Sequence, residues 1–138
     1  MTAHERRFDP HHRDRLLDPA RWAKWDPQPP PWVRLLRSEL PRIELPDASV
    51  DAAWGAFIVH EVEHLDALMR ELHRVLRPGG RVGLLDWRPD AVSEEGPPRS
   101  HRVAPEIVRQ ALEAVGFHIL PTRWQYEDAY LIRALRPS

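Results

Sequence analysis

His60-Glu61-Val62-Glu63-His64 sets four titratable side chains within five residues of this chain of 138. It fits the pattern H-E-x-x-H. On a helix that spacing sets two imidazoles on one face, where they can bind zinc, with the glutamate as general base toward a bound water. A small zinc hydrolase using His60, Glu61 and His64 is therefore one reading. Two features weigh against it. The preceding stretch, 50–59, reads as a strand, so the motif falls at a strand-to-helix turn. Arg70 stands ten residues after His60, where a third histidine ligand would belong. The competing reading is a polar turn with no metal.

That turn has chemical meaning of its own, because ligands of open α/β sheets gather at the carboxyl ends of the strands. His60 and Glu61 follow one expected strand, and Asp86 and Trp87 close the next. An imidazole titrates near neutrality and can orient or deprotonate a substrate. His60 and Glu61 are thus candidate catalytic residues. Asp86, Trp87 and His101 are a candidate substrate rim, with His101 on a loop after Pro97-Pro98. The plainer alternative is that His60 and Asp86 only make local hydrogen bonds.

The elements that would position this rim follow from periodicity. Val50 to Val59 is nearly continuous in apolar residues, broken at Asp51, which suits a strand buried on both faces. Leu65, Leu68, Met69, Leu72, Val75 and Leu76 recur at helical spacing, so a helix is expected over 65–77. Asp66 and Arg70 lie four apart on its wet side and should pair. Arg77-Pro78-Gly79-Gly80 stops that helix, and 81–87 is a second buried strand. Pro105 opens another helix, which Gly116 ends. Segments 117–120 and 129–135 read as a final strand pair, with Tyr130 packed in the core. Strands alternating with helices imply an open α/β sheet. Upstream, Asp18-Pro19 is a plausible helix start, and Phe8, Leu16, Leu17, Trp22 and Trp25 are its apolar anchors. The proline run Pro27 to Pro31 marks a linker. Residues 1–31 are expected to be a helical leader and linker, 32–138 the domain, and 32–40 a short helix.

Residues 45–87, LPDASVDAAWGAFIVHEVEHLDALMRELHRVLRPGGRVGLLDW, resemble the second half of a type 11 class I S-adenosylmethionine-dependent methyltransferase of the ubiquinone/menaquinone-methyltransferase-like kind. In that family an LP-D-x-S-x-D turn feeds the fourth strand, and a helix ending R-V-L-R-P-G-G feeds the fifth. HRVAPEIVRQALEAVGF and AYLIRALRP resemble the last helix and the C-terminal strand pair. RFDPHHRDRLLDPARW, residues 7–22, is similar to a leader helix before the domain. The family commonly carries H-E-V-E-D where this chain has His60 to His64, so His64 alone creates the zinc-like match. The resemblance implies S-adenosylmethionine as cofactor and a rim facing the methyl acceptor.

The nucleotide half has no counterpart. Close approach to the cofactor needs a glycine-rich turn, and its ribose diol needs a fixed carboxylate. No glycine precedes Gly55, and no G-x-G occurs anywhere. The stretch 32–45 is too short for two strand-helix-strand units of about 30 residues each. The expected fold is therefore a truncated Rossmann-like sheet. Of the family order 3-2-1-4-5-7-6 it keeps 4-5-7-6, behind a helical leader. No cofactor-binding residue is assigned, and binding of S-adenosylmethionine by the chain alone is not expected. Strand 50–59 becomes an edge, a template for a second strand. A homodimer or a partner chain is expected there, unless the tryptophan-bearing segment 22–40 covers it. A non-catalytic dimerising or binding module is the alternative function.

Bulk composition narrows the classes. The net charge is -1 with acids and bases interspersed, which gives nucleic acid no basic stripe. No apolar run is long enough to span a bilayer. There are no cysteines, so disulfides, thiolate zinc sites and cysteine nucleophiles are excluded. Residues 1–9 lack the apolar centre of a signal peptide, and a cytoplasmic location is expected.

Overall fold

A computed structural model describes residues 30–122 and 126–138. The leader assigned to residues 1–31, with its anchors Phe8 to Trp25, lies almost entirely outside the described residues. The elements run β1 (Val50–Ala56), α1 (Leu65–Val75), β2 (Leu76–Trp87), α2 (Pro105–Ala114), β3 (His118–Leu120) and β4 (Ala129–Leu135). Short 3-10 turns lie at Val59–Glu61 and Arg99–His101. The sheet order is β1-β2-β4-β3. β1 and β2 are parallel, and β4 is antiparallel to both β2 and β3. This is the order expected from the family's 4-5-7-6.

Each helix forms for the reason its sequence gives. α1 buries Leu65, Leu68, Met69, Leu72 and Val75 along one stripe, and Asp66 and Arg70 pair at 3.0 Å on the wet side. α2 starts at Pro105, whose missing N–H costs nothing in a first turn, and buries Val108 and Leu112. Both helices cover the same face of the sheet. Their buried side chains join Val82 and Leu84 of β2 and Tyr130, Ile132 and Ala134 of β4 in one core. Burying these apolar groups is the main source of stability, at about 25 cal/mol per Å².

Three boundaries and one whole element differ from expectation. β1 ends at Ala56, because Phe57 takes φ 59° and turns the chain away. α1 ends at Val75 and not at residue 77. β2 starts at once with Leu76, five residues earlier than expected. The Arg77-Pro78-Gly79-Gly80 stretch leaves the helix and joins the sheet in the same step. Gly79 has φ 83°, and its N–H bonds to the Arg136 carbonyl, while Arg136 N–H bonds to the Gly80 carbonyl. The Arg136 guanidinium donates to the His73 and Leu76 carbonyls and so caps the helix end.

The fourth difference is the helix expected over 32–40. The chain there is a turn followed by irregular coil, and Trp32 is 84% exposed. Prolines 30, 31 and 41 bracket the stretch. The residue before a proline disfavours the helical region, and so short a helix without a packed face is marginal. Trp32, Leu35 and Leu40 are exposed, so they bury little sheet surface.

Candidate functional site

The rim at the carboxyl ends of β1 and β2 is built by one abrupt turn. After Ala56, Phe57 N–H still bonds to the Leu85 carbonyl, and then the left-handed Phe57 swings the chain over the end of β2. A bulky residue at positive φ costs about 1–3 kcal/mol, a cost found mostly where function or packing demands the shape. Here the shape sets His60 directly above Asp86. His60 Nδ1 lies 2.8 Å from Asp86 Oδ1, and the His60 backbone N–H donates to Asp86 Oδ2 at 3.2 Å. The Trp87 backbone N–H also donates to Asp86 Oδ1, at 2.7 Å. Asp86 is completely buried.

The second ring nitrogen of His60, Nε2, lies 3.1 Å from Glu61 Oε1, and the His60 side chain is 8% exposed. Both ring nitrogens therefore face carboxylate oxygens, which only the doubly protonated ring can satisfy with two N–H donors. Burial pulls the His60 pKa down. The hydrogen bond and charge of Asp86, with the weaker contribution of Glu61, outweigh that, and the net pKa is raised. An imidazolium held this way can donate a proton or offset negative charge on a bound group. It cannot accept a proton until one ring nitrogen has first given its own away.

Trp87 forms the wall of the rim. Its ring centroid lies 5.3 Å from that of Phe57, and the Arg102 guanidinium carbon sits 5.4 Å from the ring centroid. Gly96 is pressed against the indole, since a Cβ there would come within 2.6 Å of it. Arg102 is buried and ties the loop after β2 together. It donates to the carbonyls of Arg88, Glu95 and Pro97. His101 is half-buried on the turn one residue before Arg102. The fold thus brings His60, Glu61 and Asp86 into one chain of contacts. Trp87 is adjacent through the backbone, and His101 lies on the loop that closes over Trp87. Phe57 and Arg102 belong to the same rim, and sequence reasoning did not single them out. Phe57 gave no signal, because its type does not favour positive φ. Arg102 was one of many arginines.

His64 takes a different place. It is the residue before α1, while His60 sits in the 3-10 turn, so the two imidazoles do not share a helix face. Among the described residues no group of three histidine, cysteine or acidic side chains could hold a metal ion. The described residues give the zinc-hydrolase reading no support. No helix of the described residues is long and apolar enough to cross a membrane.

The methyltransferase domain family matches residues 14–84, about half of the sequence. The chain belongs to that family. Among curated relatives, the ubiquinone/menaquinone biosynthesis C-methyltransferase UbiE of Caulobacter sp. is 31% identical over 101 residues, covering 69% of this chain and 35% of its own length. The sterol 24-C-methyltransferase of Eremothecium gossypii is 25% identical over 118 residues, covering 68% of this chain and 32% of the relative. The chain thus spans about a third of the length of the curated relatives it matches. Among solved structures, a SAM dependent methyltransferase from Aquifex aeolicus aligns with TM-score 0.74 and 27% identity, over 84% of this chain and 61% of that one. A methyltransferase from Mesorhizobium loti shares the fold with TM-score 0.70 at 20% identity, over 87% of this chain and 78% of that one.

Family and fold point to S-adenosylmethionine as cofactor class. The glycines available to a cofactor can be tested directly. Gly55 and Gly83 lie inside strands, where bare backbone would admit a ligand. A Cβ on Gly55 would meet the Ile58 side chain at 2.7 Å, and one on Gly83 the Trp54 ring at 2.7 Å. Both bare patches are filled by the chain's own side chains. Neither strand glycine of the described residues therefore leaves bare backbone open to a ligand.

Proposed function

We propose that this chain is the acceptor-side half of a methyltransferase fold, that it does not bind S-adenosylmethionine alone, and that a second chain completes it across the open edge of β1. One observation carries the reading. β1 is one of the two edge strands of the described sheet, with Trp54 63% exposed. Residues 50–56 therefore present one row of backbone donors and acceptors outward. The relatives' names make carbon methylation in quinone biosynthesis the first activity to assay in the completed assembly. In that assembly the His60 imidazolium, held by Asp86, would lie beside the acceptor and Trp87 would form its apolar wall. The second reading is a dimerising module without catalysis, favoured by the same edge.

Calorimetric titration with S-adenosylmethionine, together with light scattering, tests both. A dimer without micromolar uptake of the cofactor supports the dimerising module. Uptake that appears only on adding a partner chain supports the completed enzyme. Tight one-to-one uptake by a monomer would overturn the proposal.

A further inference from the structure

The two carboxylates that flank the His60 ring are held very differently. Asp86 is completely buried at the end of β2, and its oxygens take the His60 and Trp87 backbone N–H groups as well as the ring. It cannot leave without stranding those donors. Glu61 sits on the outside. Its side chain is 30% exposed, on a 3-10 turn of three residues, with Oε1 3.1 Å from His60 Nε2. An ion pair open to solvent is weak, because water competes for both partners. The buried contact therefore fixes the orientation and charge of the ring. The outer contact is the one that an external group can replace at little cost. An apolar ledge lies beside it. Phe57, three residues before His60, is 39% exposed, and its ring centroid stands 5.3 Å from that of Trp87. A charged donor next to aromatic faces suits a ligand that carries an anionic oxygen on a flat apolar body.

We propose that Glu61 holds the place of such a ligand: an incoming carboxylate or phenolate oxygen takes the Nε2–H of His60, and the Glu61 carboxylate moves out to water. The inference rests on the reading of this rim as the acceptor side, and it names the class of acceptor the rim takes. No covalent bond changes in the exchange. One oxyanion replaces another on the same donor, while Asp86 stays in place and keeps Nδ1 satisfied. The charge at Glu61 is then a competitor of the ligand, and its removal should strengthen binding at the ring.

Nitrogen-15 NMR of the His60 ring in the full chain, near neutral pH and without cofactor or partner, tests the exchange. Benzoate and pentafluorophenolate are the probes, with benzamide as the neutral match to benzoate. The anion should move the Nε2 signal, and the tighter of the two identifies the oxygen as carboxylate or phenolate. Glu61→Ala should bind it about fivefold more tightly than the parent chain, as expected on removing one exposed ion pair. Benzamide should show no such gain. Glu61→Gln, which removes the charge and keeps the shape, should fall between the two, and it is the readout where the alanine variant does not fold. No binding of either anion, equal affinity in parent and variant, an equal gain for benzamide, or binding that leaves the His60 signal unmoved would each overturn the proposal. None of these results involves the β1 edge, so this inference and the completed-enzyme reading fail separately.

Discussion

Asp86 is completely buried, and three donors surround its carboxylate. Removing that charge should be felt first by His60. The folded His60 pKa lies above its ordinary value of 6.5, so this stabilisation is complete below 6.5 and fades as pH rises through the folded value. Urea midpoints should therefore fall from pH 6 to pH 8. Asp86→Asn should flatten that fall, lower the His60 pKa in an NMR titration, and cost about 2 kcal/mol at pH 6. An unchanged pH slope in the variant would mean that Asp86 does not hold the imidazolium. Sequence placed His60 and Asp86 near adjacent strand ends, because each closes a short, nearly continuous apolar run. It did not show their direct contact. That contact depends on the φ of Phe57, a backbone state with no compositional signature.

The approach to β1 is fixed by Arg74 near the end of α1. Its guanidinium donates to the carbonyls of Ile43 at 2.9 Å and Leu45 at 2.8 Å, and pairs with Glu71 and with Asp47 at 2.8 Å. These contacts fasten the LP-D-x-S turn to the helix. Arg74→Met should take one donor each from the Ile43 and Leu45 carbonyls and from the Glu71 and Asp47 carboxylates, and cost about 2 kcal/mol by denaturant unfolding. Lysine should not rescue it, because one ammonium cannot span a planar fork of partners. Hydrogen bonding from Arg74 outweighs burial and lowers the Glu71 pKa below its ordinary 4.5. That stabilisation is present above 4.5 and is lost as pH falls through the folded value, so midpoints should drop in acid, and less steeply in the Arg74→Met protein. Gly80→Ala tests the join between α1 and β2. Its Cβ would meet the Arg77 carbonyl oxygen at 2.8 Å and that of Asp51 at 3.0 Å, both backbone atoms that cannot yield cheaply. A loss of about 2 kcal/mol is expected, as for overpacking a rigid site. Helix and strand identities were legible here because both periodicities are strong. The boundary was not. A proline and two glycines read as a stop, while the N–H and carbonyl groups of Gly79 and Gly80 pair with residue 136, far along the chain.

At the scale of the molecule, the sheet has one parallel pair on its outside and one antiparallel strand pair on the other side. The β3 edge has three residues and presents little backbone, whereas β1 has seven. Asp51 is the only charged residue of β1, and Arg77 of the same chain engages it at 2.8 Å. Such an edge lacks the charges that usually prevent strand addition, and on that asymmetry rests the proposal that β1 is the pairing edge. Ala52→Lys with Trp54→Lys adds two positive charges along it. Both side chains are exposed in the described sheet, so the fold should survive within about 0.5 kcal/mol apart from the Trp54 contact over Gly83. Across a two-fold strand pair the four added charges would face one another, which an association through this strand does not tolerate. Sedimentation should then show a monomer for the double variant and a dimer for the parent chain. A dimer that persists with unchanged affinity would place the contact elsewhere and remove the reason for assigning the missing cofactor wall to this edge.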